Sequence, residues 1–266
     1  MILPLAIARK FHRFFPFSQL RTANWILKSN RNKELSPIRL FGYEVPLRAR
    51  TSVHVLLSIE GEKWVEDKFL LGPYLRQGMA VMDVGANIGY LTLFFCRAVG
   101  PRGAVFAFEP DPENFRELAQ TLADNHIEWC TAVNRACGTS DKPAYLATGL
   151  NGYIQAGGED VANCRMMSLD SFVDERKLLK VDLVKIDVEG FEREVIEGAS
   201  QLLSCYKPKI IFESNNVKSR REFFRLLSDY GYSVYSLPWR PSAALAALRP
   251  DEFLTSAETN FIAIAH

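Results

Sequence analysis

The sequence predicts one doubly wound α/β domain, built on a mostly parallel seven-stranded sheet, with an N-terminal extension of helix and hairpin. From Ala80 onward, short apolar segments alternate with amphipathic ones, which is the pattern of a parallel sheet covered by helices. A turn containing Gly85 and Gly89 joins the first of these strands to the first helix, as in nucleotide-binding folds. The 266 residues, 48% hydrophobic and 24% charged, suit one large core rather than two.

The first 60 residues are predicted to form a cap, and residues 61–266 the main domain. Residues 1–36 mix basic and bulky apolar side chains, and Pro16 would interrupt a single helix there. Val45–Leu47 and Val53–Ile59 are rich in β-branched residues and predict a short antiparallel pair. The next segment, Gly61–Leu75, is predicted to be a helix that leads into the main domain.

Within the main domain, apolar segments predict seven strands: Ala80–Val84, Ala104–Phe108, Thr131–Ala136, Val181–Val188, Lys209–Glu213, Tyr232–Leu237 and Phe261–Ala265. Amphipathic segments predict the helices between them: Ile88–Val99, a helix that starts at Pro112, Phe191–Leu203, and a helix that starts at Ser219. Asp111 is the expected N-cap before Pro112. The residues from Ser219 to Glu222 have the form of a capping box.

Positive charge is concentrated at the N-terminus, although the net charge of the chain is only +1. Residues 1–33 contain seven basic and no acidic residues, and the 25 basic and 31 acidic residues that follow give a net charge of −6. An acidic body disfavours binding to nucleic acid. The basic arm has two interpretations: a helical cap packed on the main domain, which we favour, or a surface that contacts anionic lipid.

Cysteine usage predicts a reducing, cytoplasmic location. The five cysteines are an odd number without a CxxC pair, which argues against a disulfide framework and against a zinc site. No apolar run approaches the ~20 residues of a membrane span. The apolar residues 2–8 precede their charges, which is the reverse of the order in a signal peptide. Any membrane contact is therefore expected to be peripheral, at the inner face, through residues 1–33.

The turn after the first strand, Asp83-Val84-Gly85-Ala86-Asn87-Ile88-Gly89, predicts a ligand site at the carboxyl ends of the strands. Its glycines let the backbone turn sharply and let a ligand approach. Asp83 at the mouth of the turn would repel pyrophosphate but suits a ligand with an ammonium and a sulfonium group. Gly85 and Gly89 do not make G-x-G-x-x-G. Glu109, at the end of the second strand, can accept hydrogen bonds from both ribose hydroxyls. We therefore predict S-adenosylmethionine, held by Asp83, Gly85, Asn87, Gly89 and Glu109.

These motifs resemble the FkbM family of methyltransferases. The resemblance is carried by four segments, Val81–Tyr90, Phe108–Pro110, Leu183–Gly190 with its KIDVEG motif, and Glu194–Ala199. It implies the Rossmann-like fold of class I methyltransferases, S-adenosylmethionine as donor, and mostly hydroxyl acceptors on sugars or polyketide-like natural products. The expected activity is O-methylation of a small molecule or glycan.

Three charged residues at the fourth strand, Lys185, Asp187 and Glu189, are the candidate catalytic residues. A lysine in an apolar strand needs a carboxylate partner, for which Asp187, Glu189 or Glu213 is available. In one hypothesis Asp187 or Glu189 orients or deprotonates the acceptor hydroxyl. In the other, the acids only form ion pairs that shape the loop. Asp187 is also a candidate contact for the methionine part of the donor.

A metal-dependent variant is a weaker hypothesis, and we expect no metal. Asp187 with Glu213, Asn215 or Asn216 would bring together the oxygen ligands that magnesium prefers. The four histidines are scattered, and His54 is expected to be packed or solvated rather than catalytic.

Two other function classes compete with methyl transfer. An NAD(P)-dependent oxidoreductase would need the missing G-x-G-x-x-G, and a non-catalytic binding module would not need an intact donor turn. Methylation of nucleic-acid bases is disfavoured, because amino methyltransferases usually carry Asn/Asp-Pro-Pro-Tyr/Phe where this chain has residues 187–190, Asp-Val-Glu-Gly.

Overall fold

The computed structural model of this chain describes residues 19–63, 71–146, 154–156, 163–188, 190–215, 217–237 and 247–266. The described chain begins with helix α1 (Gln19–Asn30), strands β1 (Glu34–Leu40) and β2 (Tyr43–Arg48), and helix α2 (Ser52–Glu60). The two strands form an antiparallel hairpin. In the described residues, no helix has the length and apolar character needed to span a bilayer.

Three predicted features lie wholly or partly outside the described residues. These are residues 1–18 of the basic arm, the candidate catalytic residue Glu189, and the middle of the helix predicted over Gly61–Leu75. The ends of that last segment form short 3₁₀ turns, Gly61–Lys63 and Gly72–Tyr74.

The strands of the main domain are, in chain order, β3 (Ala80–Val84), β4 (Ala104–Phe108), β5 (Cys130–Val133), β6 (Ala136–Cys137), β7 (Pro143–Leu146), β8 (Ile154–Ala156), β9 (Cys164–Met167), β10 (Leu183–Ile186), β11 (Lys209–Glu213), β12 (Tyr232–Ser236) and β13 (Asn260–Ala265). Seven of them form one sheet in the order β12-β13-β11-β10-β3-β4-β5. In that sheet β13 runs antiparallel to both of its neighbours, β12 and β11, and the other paired strands run parallel. The predicted seven-stranded, mostly parallel fold is therefore confirmed. The strand order reverses between β3 and β10, which opens a crevice at their carboxyl ends.

The helices of the main domain are, in chain order, α3 (Tyr90–Val99), α4 (Pro112–Asp124), α5 (Leu169–Arg176), α6 (Glu192–Glu197), α7 (Ser200–Tyr206), α8 (Val217–Asp229) and α9 (Pro250–Thr255). Successive strand residues face opposite sides of the sheet. In β3, Met82 and Val84 pack in a core with α5 to α9, whereas Val81 packs in a second core with α3, α4 and the hairpin. Helices therefore cover both faces, as predicted.

Residues 53–59 form the helix α2, so the predicted strand over Val53–Ile59 is wrong; β2 pairs with β1 instead. The His54 ring nitrogen Nδ1 accepts the Thr51 N–H at 3.3 Å, which closes a capping box at the start of the helix. Val55 packs against α1, while Leu57 packs in the core beneath the sheet. Burial on two sides overrides the strand preference of β-branched residues.

The prediction of a single helix over Phe191–Leu203 is wrong, because α6 ends before Gly198 and a separate helix, α7, begins at Ser200. A side chain at Gly198 would collide with the carbonyl oxygen of Gly138. The Asp170 carboxylate of α5 accepts the Leu202 N–H at 2.8 Å and so caps α7 as a separate helix.

Helix α8 begins at Val217, two residues before the predicted capping box, which is therefore also wrong. Glu222 pairs with Arg193 at 2.8 Å. Arg220 is buried, and its guanidinium donates to the backbone carbonyls around α9, those of Ser214, Phe253, Ser256 and Glu258.

A second, four-stranded sheet is formed by residues that follow β5 and precede β10 in the sequence, and it was not predicted. Its order is β6-β9-β7-β8. Each of its strands has two to four residues, which is too short for an alternating pattern to be recognised in the sequence.

Arg50 joins the N-terminal elements to the start of α4. Its guanidinium donates to Glu117 at 3.1 Å and to Asn114 at 2.9 Å, and lies 3.9 Å from the Asp111 carboxylate. His54, fully buried, lies 2.7 Å from the other Glu117 oxygen. The expectation of a packed His54 is confirmed. Because α4 starts at the carboxyl end of β4, the N-terminal elements contact the edge of the sheet where the crevice opens.

Candidate active site

The turn from Gly85 to Gly89 is held between the carboxyl ends of β4 and β10. The N–H groups of Gly85 and Ala86 both donate to the Phe108 carbonyl at 3.0 Å. Gly85 has a φ of +82°, and a Cβ there would run into the carbonyl oxygen of Asp187. Asn87 also has a positive φ, +53°, which this residue type tolerates. The glycine at 85 is therefore required by the close approach of β10 as well as by the turn.

Glu109 lies directly beside this turn, at the end of β4. One carboxylate oxygen accepts the Asn87 N–H at 2.7 Å, and the other accepts the Asp111 N–H at 2.9 Å. Burial raises the pKa of Glu109 to about 7, and the two N–H groups oppose this shift only in part. Asn134 donates from its side chain to the Glu109 carbonyl at 2.9 Å and so fixes the strand end. Both carboxylate oxygens thus already accept a backbone N–H, and the ribose contact stays a prediction.

Asp83 lies beneath the turn rather than at its mouth, where the sequence analysis placed it. The residue is fully buried. Its Oδ2 accepts the Thr92 hydroxyl of α3 at 2.7 Å, and its Oδ1 lies 3.5 Å from the Lys185 ammonium. Burial raises the pKa of Asp83, while Lys185 and Thr92 act in the opposite direction. Its contact with the donor stays a prediction, and its observed partners are protein groups.

Lys185 lies between two carboxylates. Register pairs it with Asp83 across β10 and β3, and its ammonium also donates to Asp187 Oδ2 at 3.1 Å. Burial alone would lower the pKa of Lys185, but Asp187 and Asp83 outweigh it and hold the pKa above its usual value. The expected carboxylate partner is therefore found in Asp187, and Asp83 is a second partner that was not predicted.

A pocket of about 150 Å³ opens at the carboxyl ends of β10 and β11. Its apolar wall consists of Leu71, Leu91, Ile186, Ile211, Phe212 and Leu237, and its polar wall of Lys185, Asp187, Glu213 and Asn260. The side chain of Asp187 is 30% exposed. Lys185 holds its Oδ2, and its Oδ1 makes no hydrogen bond to a described residue. The pocket is thus lined by two carboxylates, of which Asp187 is held by Lys185.

Of the residues proposed for a metal, Asp187 and Glu213 line the same pocket. Asn215 donates to Glu213 at 2.9 Å, and Asn216 lies outside the described residues. The described residues contain no group of three or more His, Cys, Asp or Glu placed to hold an ion.

Thr92 and Asn134 belong to the site but were not predicted. Thr92 reaches Asp83 because the strand and the following helix pack together, and Asn134 reaches Glu109 from the end of β5. Neither has a sequence motif that would single it out. The sequence did carry a signal for the contact between Asp83 and Lys185, because each is a charged residue in an otherwise apolar strand, and the two are paired in register.

Comparison with known proteins gives one family. A family model described as the methyltransferase FkbM domain matches residues 83–234, more than half of the chain. The match includes the donor turn, Glu109, Lys185, Asp187 and the pocket residue Glu213.

Two characterised relatives and one solved structure illustrate the similarity. The hexuronic acid methyltransferase AglP of Haloferax volcanii is 28% identical over 215 residues, which cover 79% of this chain and 87% of the relative. The 31-O-demethyl-FK506 methyltransferase FkbM of Streptomyces tacrolimicus is 26% identical over 198 residues, which cover 61% and 76%. The crystal structure of methyltransferase FkbM from Methylobacillus flagellatus is 16% identical with a TM-score of 0.46, over 79% of this chain and 54% of that one.

Proposed function

Because this chain belongs to the FkbM methyltransferase family and is an S-adenosylmethionine-dependent methyltransferase, we propose that its acceptor is a hydroxyl group on a sugar, glycan or small natural product. The observation that carries the proposal is the oriented Asp187 carboxylate at the wall of the pocket. The names of the two relatives, one for a hexuronic acid and one for a 31-O-demethyl compound, are consistent with an oxygen acceptor.

The residues at the ends of β3 and β4 fit the donor. Glu109 is a buried carboxylate with a raised pKa. Hydrogen bonds donated by two ribose hydroxyls would stabilise its charged form. The turn from Gly85 to Gly89 follows the carboxyl end of β3, where ligands bind in open α/β sheets. The donor supplies a methyl group bonded to a positively charged sulfur, and the chain supplies its position relative to the acceptor.

Asp187 acts on the acceptor hydroxyl through Oδ1. It would accept a hydrogen bond from the hydroxyl, which points an oxygen lone pair away from the carboxylate, and it would take the hydroxyl proton as the S–CH₃ bond of the donor breaks and the new C–O bond forms. Lys185 fixes the carboxylate in this orientation at 3.1 Å. A large part of the effect of Asp187 is therefore expected to come from orientation of the hydroxyl.

The amide variant Asp187→Asn separates proton acceptance from architecture. It keeps the size of the side chain and loses the charge, so we expect turnover to fall by ~10² or more. Donor affinity and melting temperature should remain near wild type, because Asp187 is partly exposed and Lys185 keeps Asp83 as a partner. Turnover is measured with labelled donor on fractionated metabolites and glycans from the native cell.

Each alternative predicts a different result. Full turnover in the folded Asp187→Asn variant would remove this residue from the mechanism, and Glu189→Gln would then be the next variant to measure. Inhibition by a chelator that magnesium reverses would support the metal hypothesis. Donor binding without product in any fraction would support the non-catalytic binding module.

A further inference from the structure

The outward face of α1 combines an exposed aromatic side chain with positive charge. Trp25 is 50% exposed, and it is one of three exposed large hydrophobic side chains in the described residues. Lys28, one helical turn later, lies on the same face and is also exposed. The other face of the helix is already used, because Ala23 and Ile26 are buried against α2. The helix is therefore held in place with Trp25 directed away from the body.

The N-terminal part of the chain, to which α1 belongs, has a net positive charge. Residues 1–50 contain ten basic and two acidic residues, whereas the rest of the chain has a net charge of −7. Arg48 and Arg50 are paired with carboxylates. Among the residues up to position 50 whose side chains the structure describes, the exposed basic residues that remain are Lys28, Arg31, Lys33 and Arg39. We call Trp25 and these four residues the basic patch.

An anionic lipid surface fits this patch better than a nucleic acid does. Tryptophan is favoured at the level of lipid headgroups, where its ring is half in an apolar environment. Residues 1–18, which join α1, contain four phenylalanines and three basic residues, and this composition suits the boundary between headgroups and acyl chains. A phosphate backbone would attract the charge but would give no apolar region for those phenylalanines.

We infer that the basic patch docks the enzyme on anionic membranes. The patch has a fixed relation to the active site, because α1 packs on Ala49 and the next residue, Arg50, contacts Asp111 and Asn114 at the carboxyl edge of the sheet.

Vesicle binding by the full chain tests this inference without any knowledge of the acceptor. The probes are vesicles of phosphatidylcholine alone and vesicles of equal parts phosphatidylcholine and phosphatidylserine. We expect co-sedimentation only with the second kind, and binding that weakens as salt is added. Trp25→Ala should lower the partition coefficient about tenfold, and the double variant Lys28→Glu, Arg31→Glu more than tenfold.

A matched control is Leu179→Ala, which removes a 93% exposed apolar side chain from the main domain and should change nothing. Point variants are preferable to deletion of residues 1–33, because deletion would expose the side of α2 that Ala23 and Ile26 cover. Melting temperature and donor binding of all variants should match wild type. These controls keep a failure of docking distinct from a failure of methyl transfer.

Three results would overturn the inference. They are absence of vesicle binding by the wild type, equal binding to both kinds of vesicle, and binding that the patch variants leave unchanged. Tighter binding to a duplex oligonucleotide, lost in the same variants, would show a nucleic-acid partner instead.

Discussion

Replacing Lys185 with methionine should destabilise the protein strongly, because it leaves a buried carboxylate without its cation. Asp83 is fully buried, and after the change only the Thr92 hydroxyl, at 2.7 Å, would contact its charge. Removing one partner of a buried pair costs about 3–5 kcal/mol of the free energy of unfolding. For a chain of this size, that corresponds to a fall of roughly 10 °C in melting temperature.

The loss should depend on pH with a definite sign. Burial already raises the pKa of Asp83 in the wild type, and loss of Lys185 would raise it further. In the variant, the pKa of Asp83 is higher in the folded state than in the unfolded state. At pH values between these two pKa values, the folded state binds more protons than the unfolded state. The free energy of unfolding therefore decreases as pH rises through that range. Lys185→Met should be least destabilised in acid.

Urea unfolding at neutral and acidic pH measures both effects. Adding Asp83→Asn to Lys185→Met removes the unpaired charge. The free energy of unfolding lost in the double variant should therefore be smaller than the summed losses of the two single variants by roughly 1–3 kcal/mol. Lys180→Met is the matched control, since Lys180 is paired with Asp182 at 3.1 Å but is 57% exposed, and it should lose less than about 1 kcal/mol. Equal losses at positions 180 and 185, or additive losses in the double variant, would refute the buried pair.

Two further changes test the donor turn. Because burial raises the pKa of Glu109 from 4.5 to about 7, the free energy of unfolding should fall by roughly 3 kcal/mol over that pH range in the wild type. In Glu109→Gln most of this slope should disappear and calorimetry should show weaker donor binding; an unchanged slope or affinity would contradict the assignment. Gly85→Ala should destabilise by about 3 kcal/mol or more, because its Cβ meets the Asp187 carbonyl. Gly100→Ala, at a φ of +65° with no neighbour within 4 Å, should lose only about 1 kcal/mol, and equal losses would show that close approach is not the cause.

The sheet could be predicted because its signals are local. Buried parallel strands appear as short apolar runs, and the position of Asp111 before Pro112 predicted an N-cap whose carboxylate does accept the Glu113 and Asn114 N–H groups at 2.9 and 2.8 Å. The strand predicted over Val53–Ile59 failed because its conformation is decided by distant residues. Ala23 and Ile26 on α1 cover one side of α2, and the His54 ring binds Glu117, 63 positions away.

The site was predicted only in part, for a related reason. Glu109 was located by its position at the end of a predicted strand, and Lys185 by the KIDVEG motif. A motif does not say in which direction a side chain points. Asp83 lies two residues after Val81, on the same side of β3, so strand alternation directs it into the core with α3 and α4 rather than into the crevice. Lys185 lies two residues after Leu183 on that same side, which is why these two charges meet.

The carboxyl edge of this sheet contains several features that cost stability. Lys185 is buried with two carboxylates, and Glu109 has a raised pKa. The turn after β3 also contains three residues with positive φ angles. Apolar side chains of similar volume at positions 83 and 185 would satisfy the core without any desolvated charge. Such a core would have no ammonium to hold Asp187 Oδ2 and no carboxylate at position 83 for the predicted donor contact. We therefore propose that the buried charges serve the site rather than stability.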